Sequence, residues 1–374
     1  MRLILDDEQQ QLSATVHKVL ADHAPATRVR EVMTSDVGED TDLWRRLSSE
    51  LGVAGLVVPE RFGGSGAGHV ERCVVAEELG AALTPVPFFA SAVLAVDTLL
   101  GLGDDEACAE FLPTVVSGES VAAVAMATAD GMWGAKPLPV QAESTGDGWQ
   151  LTGTAPYVLS GMLADVLLVY ARTPDGTGVF AVRPDASGMT RVAARTLDPT
   201  RRIARLDFAA APARRLGTGD AGELRRSVGE LAAIALAAEQ VGGMRRVLDM
   251  TVDYAKVRVQ FGRAIGSYQA VKHTCADMYS DTEQAISALR YAAWAADHDR
   301  DALPGAAALA QLYIGPSYFR AAANAVQLHG GIGYTWEHDA HLYYKRAKSS
   351  ELLFGGARQA RERLAGLLDL PGGS

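Results

Sequence analysis

Apolar positions recur at helical spacing in the first third of the chain, shift to short strand-like runs in the middle, and return to helical spacing at the end. Leu12, Val16, Val19 and Leu20 share one face, which predicts a helix through Ala21 with Asp6 as its N-cap. Trp44, Leu47 and Leu51 form the stripe of a second helix over Thr41–Leu51, and Gly52 stops it. Pro59–Gly68 concentrates glycine in a way neither helix nor strand tolerates, so it is a loop. Helical patterning resumes over Val70–Leu83 and again after Pro87, reaching about Ser117.

From about Glu119 to Arg215 the period changes. Runs such as VAAVAMA, ADVLLVYAR and GVFAVR, bounded by Gly, Pro, Asp and Thr, predict the strands of a small barrel or sandwich. Gly146–Trp149, GDGW, predicts a hairpin turn. After Asp220, Ala221–Val259 is proline-free and as one helix would extend ~58 Å. Between Leu231 and Ala238 it is apolar almost all round, which predicts burial on most sides. Further helices are predicted over Gln269–Asp299, Gly305–His329 and Arg358–Leu368, the last stopping before Pro371. The expected class is α+β, divided as a helical domain (1–117), a central β domain (118–217) and a helical bundle (218–374).

Composition narrows the function classes. The 48 % hydrophobic content is carried by Ala, Val and Leu, with 7 % aromatic residues, which excludes general disorder. A net charge of −10 argues against a nucleic-acid-binding body. Cys73, Cys108 and Cys275 share no metal-like spacing, so a reducing compartment fits better than a disulfide scaffold. The N-terminus turns acidic after five residues, unlike a signal peptide, and no apolar run reaches the ~18 residues of a membrane span. A cytoplasmic chain with no membrane span and no nucleic-acid partner is expected.

Two segments in the last third carry candidate chemistry. Arg258–His273, RVQFGRAIGSYQAVKH, ends one long helix, turns through Gly262 and Gly266 and starts another. Arg258 offers a fork of donors to a phosphate, and Phe261 and Gln269 suit an aromatic ring system and its ribose. In Gln327–Gly356 the glycines at 330, 331 and 333 let backbone amides approach an anion closely. Neither segment is a Walker A loop, and HGGIG follows no strand, against a Rossmann motif. His338 and His341 lack a third ligand, so a solvated face or a cofactor-side hydrogen bond is expected there and no metal. Thr200–Arg205 suits either CoA phosphates or an ion-pair cluster with Asp198 and Asp207, and Met244–Arg246 the polar face of the long helix.

Together and in this order, these segments resemble the acyl-CoA dehydrogenase family. The resemblance runs through VPERFGGSGAG, TAPYVLSGMLADVLLVYAR, TLDPTRRIARLDF, the AAEQVGGMRRVLDMTVDYAKVRVQFGRAIGSYQAVKH stretch and QLHGGIGYTWEHDAHLYYKRAKSSELLFG. It implies an N-terminal helical domain, a central β-barrel or sandwich and a C-terminal four-helix bundle. It also implies FAD bound where two subunits meet, an acyl-CoA or acyl-carrier thioester as substrate, and an electron-transfer flavoprotein as a possible acceptor. By this resemblance Arg258 and Phe261 meet the FAD of the neighbouring subunit, Gln269 lies near its adenosine half, and Gln327, Gly330 and Gly331 form the Q-x-x-GG segment on the cofactor. Tyr157 stands where the family usually has a Trp against the flavin. Leu159 replaces a Thr that hydrogen-bonds the flavin N5, with Ser160 next to it.

The family's reaction needs a carboxylate base beside the substrate α-carbon while hydride leaves the β-carbon. The resemblance places Phe354, ahead of Gly355, at one family position for that base, and Ala232 at the other. Neither side chain accepts a proton. Glu230, Glu239 and Glu351 are the nearby candidates to stand in, Glu239 also being expected as a buried carboxylate paired with Arg245 or Arg246. The resemblance therefore points to a subunit that works with a base-bearing homologue. The alternatives are a homo-oligomer, a flavoenzyme with other chemistry on a CoA- or carrier-bound acyl group, and a non-catalytic scaffold.

Overall fold

The computed structural model describes residues 3–131, 137–146 and 148–370. Two compact units form, one from Arg30–Arg72 and Pro85–Ala232, the other from Met1–Val29, Cys73–Thr84 and Ala233–Ser374. The α+β class expected from the pattern is found, with the main sheet in the middle of the chain.

The first helices are α1 (Asp7–His23), α2 (Ala26–Thr34), α3 (Thr41–Leu51) and α4 (His69–Ala81). Asp6 caps α1 as predicted, accepting from Gln9 N at 2.9 Å in a capping box. Gly52 ends α3 in the left-handed conformation, φ 66°. Two further helices, α5 (Val96–Leu102) and α6 (Asp105–Val116), precede the strands. A π-helical turn over Phe89–Ala95 leads into α5, and apolar periodicity gave no sign of it because every residue in it is buried. Ser91 pins this turn to the first strand, its hydroxyl donating to Ala122 O and accepting from Ala122 N, both at 3.0 Å. The buried Arg72 guanidinium donates to Ala92 O of the turn at 3.4 Å and grips Asp97 with both nitrogens at 2.7 and 2.9 Å.

Seven strands form one sheet: β1 (Ala122–Ala125), β2 (Gln141–Thr145), β3 (Gly148–Leu159), β4 (Val166–Thr173), β5 (Gly176–Val182), β6 (Met189–Ala193) and β7 (Ile203–Leu216). The order β1-β4-β2-β3-β7-β5 closes into a barrel because β5 also pairs β4, while β6 adds to β7. Leu151, Val158, Leu167, Val169, Phe180 and Leu206 fill its interior. The predicted hairpin turn at Gly146–Trp149 includes Asp147, which lies outside the described residues; its flanks pair as Thr145 with Gly148.

The helical unit is built on α7 (Gly222–Val257), which begins in the β-containing unit, followed by α8 (Gln269–His298), α9 (Leu303–His329), α10 (Ala340–Leu352) and α11 (Gly356–Leu367). A two-stranded ribbon, β8 (Val259–Gln260) and β9 (Arg263–Ala264), joins α7 to α8. The 36 residues of α7 span about 54 Å, and Ala232–Ala238 are buried throughout, as their apolar run predicts. Gly80 and Gly242 let α4 and α7 cross at backbone contact: a Cβ on Gly242 would sit 1.8 Å from Glu77 O, and one on Gly80 2.0 Å from Glu239 O. Among the described residues no helix is long and apolar enough to cross a membrane.

Candidate functional site

In the β-containing unit the geometry centres on the end of β3. Pairing with β7 steps from Ala155–Leu206 to Val158–Ala204, so one extra residue bulges out of β3. Bulges re-aim side chains, and here Tyr157 takes φ +59° and presents its ring 49 % exposed. Its ring leaves room only for a glycine at Gly131, where a Cβ would stand 2.9 Å from Tyr157 Cε2. Val158 and Leu159 turn inward and are buried. Ser160 then adopts φ +53°, and its amide donates to Arg202 O at 3.1 Å.

Behind this turn lies a carboxylate that sequence pattern did not single out. Glu39 is buried, and Ser160 Oγ donates to its Oε1 at 2.6 Å. Burial pushes the Glu39 carboxyl up to about 7, against the opposing pull of the Ser160 hydrogen bond and the Arg202 charge. The one available signal was an acidic residue directly before the N-cap Asp40, a position that could equally be solvent-facing.

The helical unit gathers the other motif residues. Tyr254, one turn before Arg258 on α7, stacks on His329 at 4.5 Å, and His329 sits between Gln327 and Gly330. The Arg258 segment and the Gly330 segment are thereby held side by side. His329 Nδ1 donates to Ala325 O at 2.6 Å, which leaves Nε2 a buried acceptor, and burial holds its imidazole below the ordinary value. Arg258, Gln269, Gln327, Gly330 and Gly331 are all exposed, and Phe261 is 92 % exposed at φ +52° on the tip between β8 and β9. A Cβ at Gly330 or Gly331 would meet nothing within 4 Å, so their backbone is open on that side. Tyr157, Leu159 and Ser160 lie together in the other unit.

Between α10 and α11 the chain kinks through three successive residues of positive φ, Phe354 (φ +62°), Gly355 (φ +101°) and Gly356 (φ +64°). Gln311 Nε2 donates to Leu353 O and Phe354 O at 3.5 and 3.4 Å, and Arg363 in turn holds Gln311 Oε1. The Phe354 side chain is buried, 3 % exposed.

Residues 6–119 match the description "Acyl-CoA dehydrogenase, N-terminal domain" and residues 230–366 match "Acyl-CoA dehydrogenase, C-terminal domain". Acyl-CoA dehydrogenase IpdE2 of Mycobacterium tuberculosis is 36 % identical over 361 residues, 96 % of each chain. The chain belongs to the acyl-CoA dehydrogenase family. The ChsE4–ChsE5 complex from Mycobacterium tuberculosis is similar at TM-score 0.90 and 32 % identity over 100 % of both chains. The Tcur3481–Tcur3483 steroid ACAD variant is similar at TM-score 0.87 and 34 % identity, over 97 % of this chain and 98 % of that one. Members of the acyl-CoA dehydrogenase family are FAD-binding oxidoreductases.

The donors present fit such a cofactor. A half-exposed aromatic ring beside a left-handed turn suits a flavin, and open glycine backbone near an arginine suits a pyrophosphate. Some expectations need correction. Glu239 pairs with Arg346 of α10, not with Arg245 or Arg246. Arg245 instead reaches Glu77 at 3.5 Å, and Glu77 is also held by Arg290 from α8. The difference is tertiary: α10 brings Arg346 to α7 from more than 100 residues away in sequence. Met244 is buried, so the polar face expected at Met244–Arg246 is confined to the two arginines. Glu351 accepts from Lys348 at 2.8 Å on its own helix, and Glu230 is buried on α7. His338 and His341 keep separate company, His338 against His329 at 4.3 Å and His341 against Trp336 at 4.7 Å. In the Thr200–Arg205 run, Asp198 accepts from Thr200 N at 3.0 Å and Arg205 pairs Asp207 at 3.0 Å, while Arg202 turns to the carbonyls of Met33 and Ser35.

Proposed function

We propose that this chain is the FAD-binding, base-less subunit of a heteromeric acyl-CoA dehydrogenase, acting in the α,β-dehydrogenation of an acyl thioester with a base-bearing homologous subunit. The observation that carries this reading is Phe354: a buried aromatic side chain, held in a braced left-handed turn, at the position where family resemblance expects the base. Ala232, at the other such position, is buried and equally inert. Glu239 is occupied by Arg346 and Glu351 by Lys348, which supports the same reading.

FAD, when bound, supplies a hydride acceptor for the substrate β-carbon. The chain's own residues bind and orient. Tyr157 packs against the ring system, and Leu159 offers no side-chain donor beside it. Arg258, Phe261, Gln269, Gln327, Gly330 and Gly331 hold the phosphate and adenosine half across a subunit boundary. The α-proton passes to a carboxylate of the partner. The division into domains at 117/118 and 217/218 belongs to the same proposal. ChsE4–ChsE5 is a complex of two named chains, and the Tcur3481–Tcur3483 protein is described as a steroid ACAD. A bulky, steroid-bearing acyl-CoA is therefore the first substrate to test.

The test is an assay of saturated acyl-CoA with an artificial electron acceptor, on the chain alone and co-expressed with a base-bearing homologue. The assembly is expected to carry FAD and turn over, and the chain alone to stay at background. Robust turnover by the pure chain overturns the partner requirement, and an assembly without the yellow flavin spectrum overturns the FAD role.

A further inference from the structure

Ser160 poses a question of its own. A non-glycine residue in the left-handed region costs on the order of 1–3 kcal/mol and persists only where its surroundings hold it. Two contacts do so here, the Ser160 amide to Arg202 O and Ser160 Oγ to Glu39 Oε1 at 2.6 Å. Glu39 is an awkward choice for support alone. Its Oε2 is buried and makes no hydrogen bond among the described residues. Arg202 does not close the gap, since its Nη2 donates to Met33 O at 3.1 Å and Ser35 O at 2.8 Å and its buried Nε makes no hydrogen bond among the described residues. Gly38 makes room for this arrangement: at φ +69°, a Cβ there would lie 1.6 Å from Arg202 Nε.

We propose that Glu39 is a positioning residue for the flavin site, bracing the turn Tyr157–Ser160 from its buried side and transmitting its charge state to the flavin through the Ser160 hydroxyl. This rests on the reading that the turn faces FAD. The chemistry follows from donor counting. An ionised carboxylate only accepts, so the Ser160 hydrogen points at Glu39. A protonated carboxyl can donate to Ser160 Oγ, which frees the hydroxyl hydrogen to turn away from Glu39. One proton thus changes both the local charge and the direction of a donor in the turn.

The surrounding groups leave Arg202 as the charge facing Glu39. Asp40, next in the chain, accepts from Leu43 N at 3.1 Å as the N-cap of α3. Arg201 lies over the Phe89 ring, its guanidinium carbon 5.7 Å from the centroid, and Asp198 is bound by Thr200. Burial of the Glu39 carboxyl brings its titration near neutrality, where this device would operate.

The test uses the FAD-loaded protein, assembled with its partner where loading requires it, as wild type, Glu39→Gln and Ser160→Ala. Infrared difference spectra against pH report the carboxyl directly, and the visible spectrum of bound FAD against pH reports the flavin. The wild type is expected to show a protonated-carboxyl band with a midpoint near pH 7 and a flavin shift with the same midpoint. Glu39→Gln loses both, and Ser160→Ala keeps the carboxyl band but loses the flavin shift. A merely structural Glu39 would leave the flavin spectrum of every variant independent of pH over this range, which overturns the proposal. An unchanged flavin shift in Glu39→Gln overturns it as well. Absence of bound FAD in all three proteins removes the reading of the turn itself, and the inference with it, a result distinct from a flavin that fails to respond.

Discussion

The turns at Tyr157–Ser160 and at Phe354 both hold non-glycine residues in left-handed backbone, and they are supported in opposite ways. Tyr157–Ser160 rests on polar contacts to its side chains and backbone, with the Ser160 hydroxyl on Glu39 and the Ser160 amide on Arg202 O. The turn at Phe354 is held through its carbonyls by Gln311, and the side chain it buries is an apolar ring. In the first turn a titratable group, Glu39, is hydrogen-bonded to a turn residue, and in the second none belongs to the turn residues themselves. Backbone contacts such as those from Gln311 to the Leu353 and Phe354 carbonyls hold a turn whatever side chain it displays, whereas a side-chain contact such as Ser160 to Glu39 depends on residue identity.

A carboxylate placed in the second turn is expected to have the largest effect. Phe354→Glu in the FAD-loaded chain without its partner is expected to raise acyl-CoA-dependent flavin reduction by ~10²–10⁴-fold, the usual worth of a positioned base. Stopped-flow bleaching of the flavin measures it, and an unchanged rate would show that Phe354 does not stand where the base is needed. Next in size is the packing role of the same ring. Phe354→Ala is expected to cost about 3–5 kcal/mol of unfolding free energy in denaturant titrations, since the ring is buried. A loss below 1 kcal/mol would mean the turn does not need it.

Glu39 gives folding stability a pH dependence of definite sign. Its carboxyl is raised from 4.5 to about 7 in the folded chain, so the folded state binds the proton more tightly. The stability from this group is complete below pH 4.5 and is lost as pH rises through 7, by about 3 kcal/mol over the window. Glu39→Gln should flatten that slope, so that between pH 5 and 8 the variant loses less melting temperature than the wild type. Parallel slopes would show that the carboxyl does not titrate there.

Much of the architecture was legible because it depends on local pattern. The Asp6 cap, the Gly52 stop, the apolar stretch Ala232–Ala238 and the change of period near Glu119 each act within a few residues, and each has its counterpart in the structure. Helices α2, α6 and α10 were not resolved as separate elements, and the π-helical turn over Phe89–Ala95 was invisible, because in a run buried on all sides no polar face marks the period. Among candidate site residues, the cofactor-side set came from resemblance to the family's motifs. Glu39 was missed because its contacts, Ser160 and Arg202, lie more than 100 residues away.

Residue identity and short-range spacing were enough to fix the family and the order of helices and strands. How the charges are partnered depends on the tertiary structure: Glu239 with Arg346, Glu77 with Arg290, and Glu39 with the Ser160 hydroxyl beside the Arg202 charge. The reason is physical. A carboxylate's chemistry is set by its desolvation and its partners, and both depend on which distant segments the fold brings against it.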